Sequence, residues 1–157
     1  KKIILSRPAV EAGEKLGFLP GDLKEKVDPF LRPIYDALYE MMPYDQVEKK
    51  IANNTIEIAP IAFMRGRTFE NSYIIADEMQ NTTVNQFKML ITRIGEGSKL
   101  VVTGDLDQTD RGKDNGMADF LHRLWRSKTH HICNVQLMGE DIVRHKAVSE
   151  ALQVYDS

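Results

Sequence analysis

Two apolar runs that each end in a cluster of carboxylates and amides constrain this chain more than any other feature. Residues 72–81 read SYIIADEMQN, and residues 99–108 read KLVVTGDLDQ. Short apolar runs bounded by polar residues are typical of parallel strands that are covered on both faces. The sequence therefore predicts two neighbouring buried strands, whose acidic ends meet in the crevice where open α/β sheets bind ligands.

The side chains of these clusters suit a site for magnesium and a nucleoside triphosphate. Mg²⁺ prefers oxygen ligands and is usually held by one or two carboxylates together with water and phosphate oxygens. Asp77 is the predicted Mg²⁺ ligand, and Glu78 is predicted to orient or deprotonate an attacking water. Because phosphoryl transfer depends on positioning, an amide that senses the terminal phosphate is also expected. Gln108 is the first candidate for this amide and Gln80 is the second.

A structural alternative is that Asp77 and Glu78 only cap the helix that follows them. Acidic side chains are common near helix starts, since they accept hydrogen bonds there and complement the helix dipole. The second acidic cluster, at the end of another apolar run, favours the nucleotide site.

Composition sets the class of protein. The chain has 157 residues, of which 42% are hydrophobic, so it is long enough to form one domain with a core, predicted over residues 1–157. A net charge of −2 excludes a globally basic nucleic-acid coat. Residues 111–131 nevertheless carry five Lys or Arg against two Asp. This stretch is either a contact for phosphate backbones or the solvated face of a helix.

The single cysteine and the hydropathy pattern indicate where the protein works. Cys133 rules out an internal disulfide and fits a reducing cytoplasm; it is predicted to pack inside a last strand at 131–137. No run approaches the ~18 apolar residues of a membrane span. A soluble, cytoplasmic protein without membrane contact is expected.

Strands and helices alternate along the chain, which predicts an α/β fold, a three-layer α/β/α sandwich with a mostly parallel sheet. Pro29 and Pro33 are expected to break or kink the helical region at 22–42 into short pieces. The other predicted elements are strands at 1–6 and 55–58, a basic turn at 64–68, and helices at 46–53, 84–94, 117–125 and within 141–155.

The phosphate-binding sequence of a nucleotide hydrolase is missing from the chain. That motif, GxxxxGKS or GxxxxGKT, holds phosphates with its backbone amides and its lysine. The glycines at 95–97 lie in a helix-to-strand turn, and those at 13–21 are not followed by Lys-Ser or Lys-Thr. The chain thus carries the metal-and-water half of a phosphate-transfer site without the phosphate-cradling half.

Four segments resemble the PhoH-like ATPase family. They are SRPAVEAGEKLGFLPG at 6–21, AFMRGRT at 62–68, DEMQNTT at 77–83 and VTGD at 102–105. The resemblance covers nearly all of residues 1–155 and implies a P-loop NTPase core related to the first motor domain of superfamily-1 helicases. It also implies that the phosphate loop precedes Lys1, and that this chain by itself is inactive.

The same resemblance implies roles for individual residues. Asp77 would be the Walker-B ligand of Mg²⁺, Glu78 the catalytic carboxylate, and Gln80 the last residue of a helicase-like Asp-Glu-x-Gln signature. Asp105 and Gln108 would belong to the Gly-Asp-x-x-Gln sensor.

The resemblance further implies ATP as the ligand, RNA as a partner, and a ring-like homo-oligomer such as a hexamer. An arginine of one subunit would reach the phosphates of its neighbour, because a planar, always-charged guanidinium matches phosphate oxygens. Arg65, Arg67 and Arg144, the last in a Val-Arg-His element, are the candidates. Surface ion pairs are the alternative for each of them.

Three functions are compatible with these residues. The first is an ATPase core coupled to RNA binding or remodelling. The second is an RNA-binding or oligomerisation module without turnover. The third is a ribonuclease that binds two metals through Asp77, Glu78, Asp105 and Asp107.

Overall fold

The computed structural model describes residues 1–9, 23–108 and 114–157. The glycines at 13–21 lie outside the described residues, as do residues 111–113 of the basic stretch. The chain divides into two compact units, Lys1–Arg126 and Ser127–Ser157, which we call the first and second unit. A single domain over residues 1–157 stays a prediction.

The first unit is built on a four-stranded sheet in which all the strands are parallel. The strands are β1 (Lys2–Arg7), β2 (Ile56–Pro60), β3 (Ser72–Ala76) and β4 (Lys99–Val102). Their order across the sheet is β2-β1-β3-β4. The predicted α/β fold and the predicted adjacency of the two acidic strands are both confirmed.

Helices cover both faces of this sheet. Helices α1 (Leu23–Met41) and α2 (Tyr44–Ala52) contact β2, and α1 also contacts β1. On the other face, α3 (Val84–Ile91) packs against α4 (Gly116–Leu124). The predicted three-layer arrangement is therefore present in the first unit.

Alternation along the strands explains the three layers, since neighbouring side chains of a strand point to opposite faces. Ile4 and Ile74 belong to the cluster that contains Phe87 of α3. Leu5, one residue after Ile4, packs instead in the cluster that contains Leu38 of α1. The apolar runs of the sequence thus supply two cores, one on each face.

The expectation that two prolines would divide the first helical region into short pieces is wrong. Pro29 and Pro33 both lie inside α1, which runs without interruption from Leu23 to Met41. A proline removes one amide donor and leaves the remaining helical hydrogen bonds in place. Leu31 and Leu38 are buried on either side of Pro33, and this packing holds the helix together.

The prediction that both acidic strands are buried holds only for β3. Ser72, Ile74 and Ala76 are buried, whereas no residue of β4 is. Among the described residues β4 pairs with β3 alone, so it is one of the two edge strands of the described sheet.

The predicted last strand is also wrong. Residues 131–137 form no strand, and Cys133 is exposed instead of packed. A strand needs a hydrogen-bonded neighbour, and no described strand pairs with this segment. The second unit ends with helix α5 (Lys146–Asp156), which confirms the predicted closing helix. Within the described part of the chain, no helix combines the length and apolar character needed to cross a membrane.

Candidate active site at the carboxyl ends of β1, β3 and β4

Strand register brings three chain segments together at one end of the sheet. Ser6 pairs with Ala76, and Ala76 pairs with Val102. The hydrogen-bond ladder continues past the strands, because the Asp77 N–H donates to the Ser6 carbonyl and the Thr103 N–H donates to the Ala76 carbonyl, both over 2.9 Å. The residues that follow the three strands are consequently neighbours.

Asp77 is held by a hydroxyl from the adjacent strand end. Thr103 Oγ1 donates to Asp77 Oδ1 over 2.7 Å. The Asp77 side chain keeps 44% of its surface exposed, so the carboxylate remains open to a ligand. This arrangement fits a Mg²⁺ ion that takes one protein carboxylate and fills its other positions with water and phosphate oxygens.

Glu78 has a left-handed backbone, with φ 57° and ψ 36°. This conformation is rare for a residue other than glycine, and residues that adopt it cluster at functional sites. The reversal ends the strand direction and starts a 3-10 turn at Met79–Asn81. Met79 anchors this turn, since its side chain is fully buried and its N–H donates to the Thr103 carbonyl over 3.0 Å.

The capping alternative for the acidic pair is wrong. The N-cap of α3 is Thr83, whose hydroxyl accepts from the Gln86 N–H while the Gln86 side chain accepts from the Thr83 N–H. Glu78 makes no side-chain capping hydrogen bond with its own 3-10 turn.

Gln80 links the first acidic cluster to the second. Its side chain is 1% exposed, its Nε2 donates to Glu78 Oε2 over 2.7 Å, and its Oε1 accepts from the Asp105 N–H over 3.2 Å. The amide predicted as a second candidate for phosphate sensing therefore lies beneath the site and orients Glu78.

Gly104 allows this close packing. A Cβ added there would lie 2.6 Å from Met117 Sδ and 2.8 Å from Gln80 Oε1. Only a residue without a side chain lets the end of β4 approach Gln80 this closely.

Arg7 is one of two site residues that sequence reasoning missed. It ends β1, with Nε 3.9 Å from Asp77 Oδ2 and Nη2 3.7 Å from Glu78 Oε1, and its side chain is only 18% exposed. Thr103 was missed in the same way. Both residues follow apolar runs, but only the strand order shows that these runs are the two neighbours of β3.

Asp105 and Gln108 lie at the same end of the sheet but are more exposed. Asp105 Oδ1 accepts from the Asp107 N–H over 2.9 Å, and its carbonyl accepts from the Gln108 N–H over 3.1 Å. These bonds form a short 3-10 turn, Leu106–Gln108, with no buried residue.

The three candidate arginine fingers have different surroundings. Arg67 lies between Glu57, at 2.9 Å, and the ring of Phe69, at 4.6 Å from its centroid, which favours a structural role. Arg65 is exposed in the turn after β2, and Arg144 is exposed in the second unit.

Two further observations concern metal ligands and space at the site. Among the described residues, no three His, Cys, Asp or Glu side chains converge in a way that would bind a metal by themselves. Beside Arg7 and Glu78 lies a cavity of about 220 Å³, which Pro8, Asn81 and the α1 residues Pro29, Phe30 and Pro33 also line.

Comparison with known proteins identifies the family. Residues 1–156 match the PhoH-like protein family. The chain is 52% identical over 99% of its length to a PhoH-like protein of Bacillus subtilis, and 51% identical over 98% to one of Mycobacterium bovis. It is 42% identical over 98% to Protein PhoH of Escherichia coli. This chain belongs to the PhoH-like family, whose general class is the P-loop NTPases.

The matched region is a part of each relative. The chain covers 49% of the Bacillus subtilis protein and 44% of each of the other two. It therefore spans about half the length of these relatives.

Proposed function

We propose that this chain is the metal-and-water half of a Mg²⁺-dependent ATPase. The observation that carries the proposal is the held acidic pair, in which Asp77 and Glu78 emerge from an inner strand and receive contacts from both neighbouring strand ends. Family membership supports it, because P-loop NTPases use such a pair for nucleotide hydrolysis.

Each side chain has a defined task in this proposal. Asp77 would bind Mg²⁺ together with ATP phosphates and water, and the ion would neutralise phosphate charge. Gln80 donates to Glu78 Oε2, and Oε1, which Arg7 Nη2 approaches to 3.7 Å without a hydrogen bond, would orient the attacking water and accept its proton. Gln108 is exposed beside these residues, where it would sense the terminal phosphate.

The first test measures Mg²⁺-dependent ATP binding and hydrolysis on this chain and on a longer form that extends upstream of Lys1. We expect turnover in the longer form only, since the chain contains no phosphate-loop sequence. Absence of binding and turnover in both forms would contradict the ATPase proposal and favour the RNA-binding or oligomerisation module.

RNA as a partner is part of the same proposal. Arg123 and Arg126 are exposed at the end of α4, although Arg123 also pairs with Asp119 over 2.9 Å. If they contact phosphates, replacing each with Ala should weaken RNA binding and reduce its salt dependence by about one counterion per site. Unchanged affinity and salt slope would indicate that this is only a solvated helix face.

A ring-like homo-oligomer in the cytoplasm completes the proposal, with an arginine that acts across the subunit interface. Arg65 is the candidate in the first unit that is exposed. Mixing inactive Glu78→Gln subunits with inactive Arg65→Ala subunits should restore part of the turnover, because mixed interfaces regain one complete site. No recovery in mixtures shown to exchange subunits would argue against Arg65.

A further inference from the structure

Arg7 has a fixed backbone from which its side chain reaches the acidic pair. It is the last residue of β1, whose hydrogen-bonded neighbour β3 ends one residue before Asp77. The next residue, Pro8, is buried, and a residue that precedes proline is restricted to extended conformations. The sheet therefore fixes the backbone position from which the Arg7 side chain extends.

The two oxygens of Glu78 have different partners. Gln80 donates a short hydrogen bond to Oε2, whereas Arg7 Nη2 approaches Oε1 to 3.7 Å, an ion-pair distance longer than a hydrogen bond. The neutral amide thus fixes one oxygen, and the cation attracts the other.

The contacts of Arg7 with the acidic pair offset two unfavourable features of the site. Asp77 and Glu78 are adjacent like charges, and the left-handed backbone of Glu78 persists only where its surroundings over-determine it. A cation that lies within 4 Å of both carboxylates reduces their repulsion. Because the Arg7 side chain is only 18% exposed, water screens this attraction less than at an open surface.

We infer that Arg7 is a positioning residue, which holds Glu78 in its hydrolytic orientation and balances the charge of the acidic pair. This inference rests on the proposed ATPase function. Arg7 acts through Glu78, and it is distinct from an arginine finger, since it belongs to the same subunit and faces the carboxylates.

The space around Arg7 makes the inference testable. Arg7 lines the cavity of about 220 Å³, so part of its surface faces open space instead of packed core. Arg7→Gln should therefore remove the charge without leaving a hole in the core, and Arg7→Lys keeps the charge while removing the planar fork.

The first measurement separates kcat from KM for Mg²⁺-ATP hydrolysis in the longer, active form. We expect Arg7→Gln to lower kcat by up to about 10²-fold, as misplacement of a reacting group does, while KM changes by less than about threefold. Arg7→Lys should recover part of the loss. Arg32→Gln is the matched control, because Arg32 is an exposed α1 arginine whose ion pair is with Asp36, one turn further along the same helix.

The second measurement needs no nucleotide. Urea unfolding of Arg7→Gln, Glu78→Gln and the double variant forms a double-mutant cycle. If the two side chains interact, the effect of the double variant on the unfolding equilibrium constant should differ from the product of the two single-variant effects by at least about twofold. If Arg7→Gln does not fold, the same cycle is run with Arg7→Lys.

The outcomes separate this inference from the proposed function. If the wild type hydrolyses ATP and Arg7→Gln has an unchanged kcat, the positioning role alone is overturned. The same holds if the effect of the double variant on unfolding equals the product of the two single-variant effects. Absence of turnover in the wild type overturns the ATPase proposal and the positioning role of Arg7 in hydrolysis with it, while the cycle still decides whether Arg7 and Glu78 interact.

Discussion

The two acidic clusters follow similar apolar runs, yet their surroundings differ. Asp77 and Glu78 follow β3, which has a strand on each side, and they receive contacts from Arg7 and Thr103 at the ends of those strands. The cluster after β4 follows an edge strand and forms an exposed turn. A strand end becomes a constrained site where both neighbours supply side chains to it.

We expect the largest difference in turnover between matched carboxylate substitutions in the clusters that follow β3 and β4. Glu78→Gln should lower turnover by about 10²–10⁴-fold, because it removes the general base, while ATP binding is retained. Asp107→Asn removes the same charge from the β4 turn and should change turnover by only a few fold. Steady-state hydrolysis and nucleotide binding measure both.

Equal losses in Glu78→Gln and Asp107→Asn would show that the two acidic clusters contribute equally to turnover. Metal-dependent RNA cleavage without nucleotide, lost in both variants, would revive the ribonuclease alternative.

The two glutamines should differ in their effect on stability. Gln80→Ala removes a buried amide and leaves the Asp105 N–H without it, which should reduce the free energy of unfolding by about 1–3 kcal/mol. Gln108→Ala changes an exposed side chain and should stay within about 0.5 kcal/mol. Urea unfolding tests the pair, and a larger loss for Gln108 would contradict the assignment of Gln80 as the link.

Gly104 and Gly139 should also differ in how much an added methyl group changes the free energy of unfolding. Gly104→Ala places a methyl group against Met117 and Gln80, so we expect a loss of about 1–3 kcal/mol in unfolding free energy. At Gly139, in the second unit, an added Cβ meets nothing within 4 Å, so Gly139→Ala serves as the control. Thermal or urea unfolding distinguishes them, and equal stability would show that β4 can shift to relieve the clash.

The smallest effect is expected far from both acidic clusters, where α1 meets α2. Tyr39 Oη donates to Glu48 Oε1 over 2.7 Å, and this hydrogen bond, followed by desolvation, is the main cause that raises the pKa of Tyr39 from 10.0 to about 12. Since the folded pKa is raised, the stabilisation is complete below pH 10 and is lost as the pH rises toward 12.

Replacing Tyr39 with Phe should remove this part of the pH dependence of unfolding. Tyr44, whose ring stacks on that of Tyr39 with 5.0 Å between the centroids, supplies the control. Tyr44→Phe should leave the alkaline pH dependence of unfolding in place. The same alkaline transition in the Tyr39→Phe chain would assign it to another group.

Local patterns were enough to predict the candidate carboxylates and the class of fold. Asp77 and Glu78 follow a run whose length and polar ends mark a strand, and the alternation of strands with amphipathic helices indicates a parallel sheet. These features depend on residues close in sequence, so they can be read without knowing what packs against them.

Errors arose where a distant partner decides the outcome. Pro29 and Pro33 remain helical because α1 is packed on both sides of Pro33, and packing outweighs the local preference. The apolar run at 131–137 forms no strand, because β propensity acts only when a neighbouring strand pairs with the run.

Local sequence pattern was sufficient to show that the acidic pair follows a strand, and therefore which carboxylates can act at the carboxyl edge of the sheet. That β1 and β4 are both neighbours of β3 is known from the folded chain, and this order places Arg7 and Thr103 against the acidic pair. The physical reason is one of range. Periodicity and turn propensity act over a few residues, whereas strand order depends on contacts between segments tens of residues apart, which no local pattern encodes.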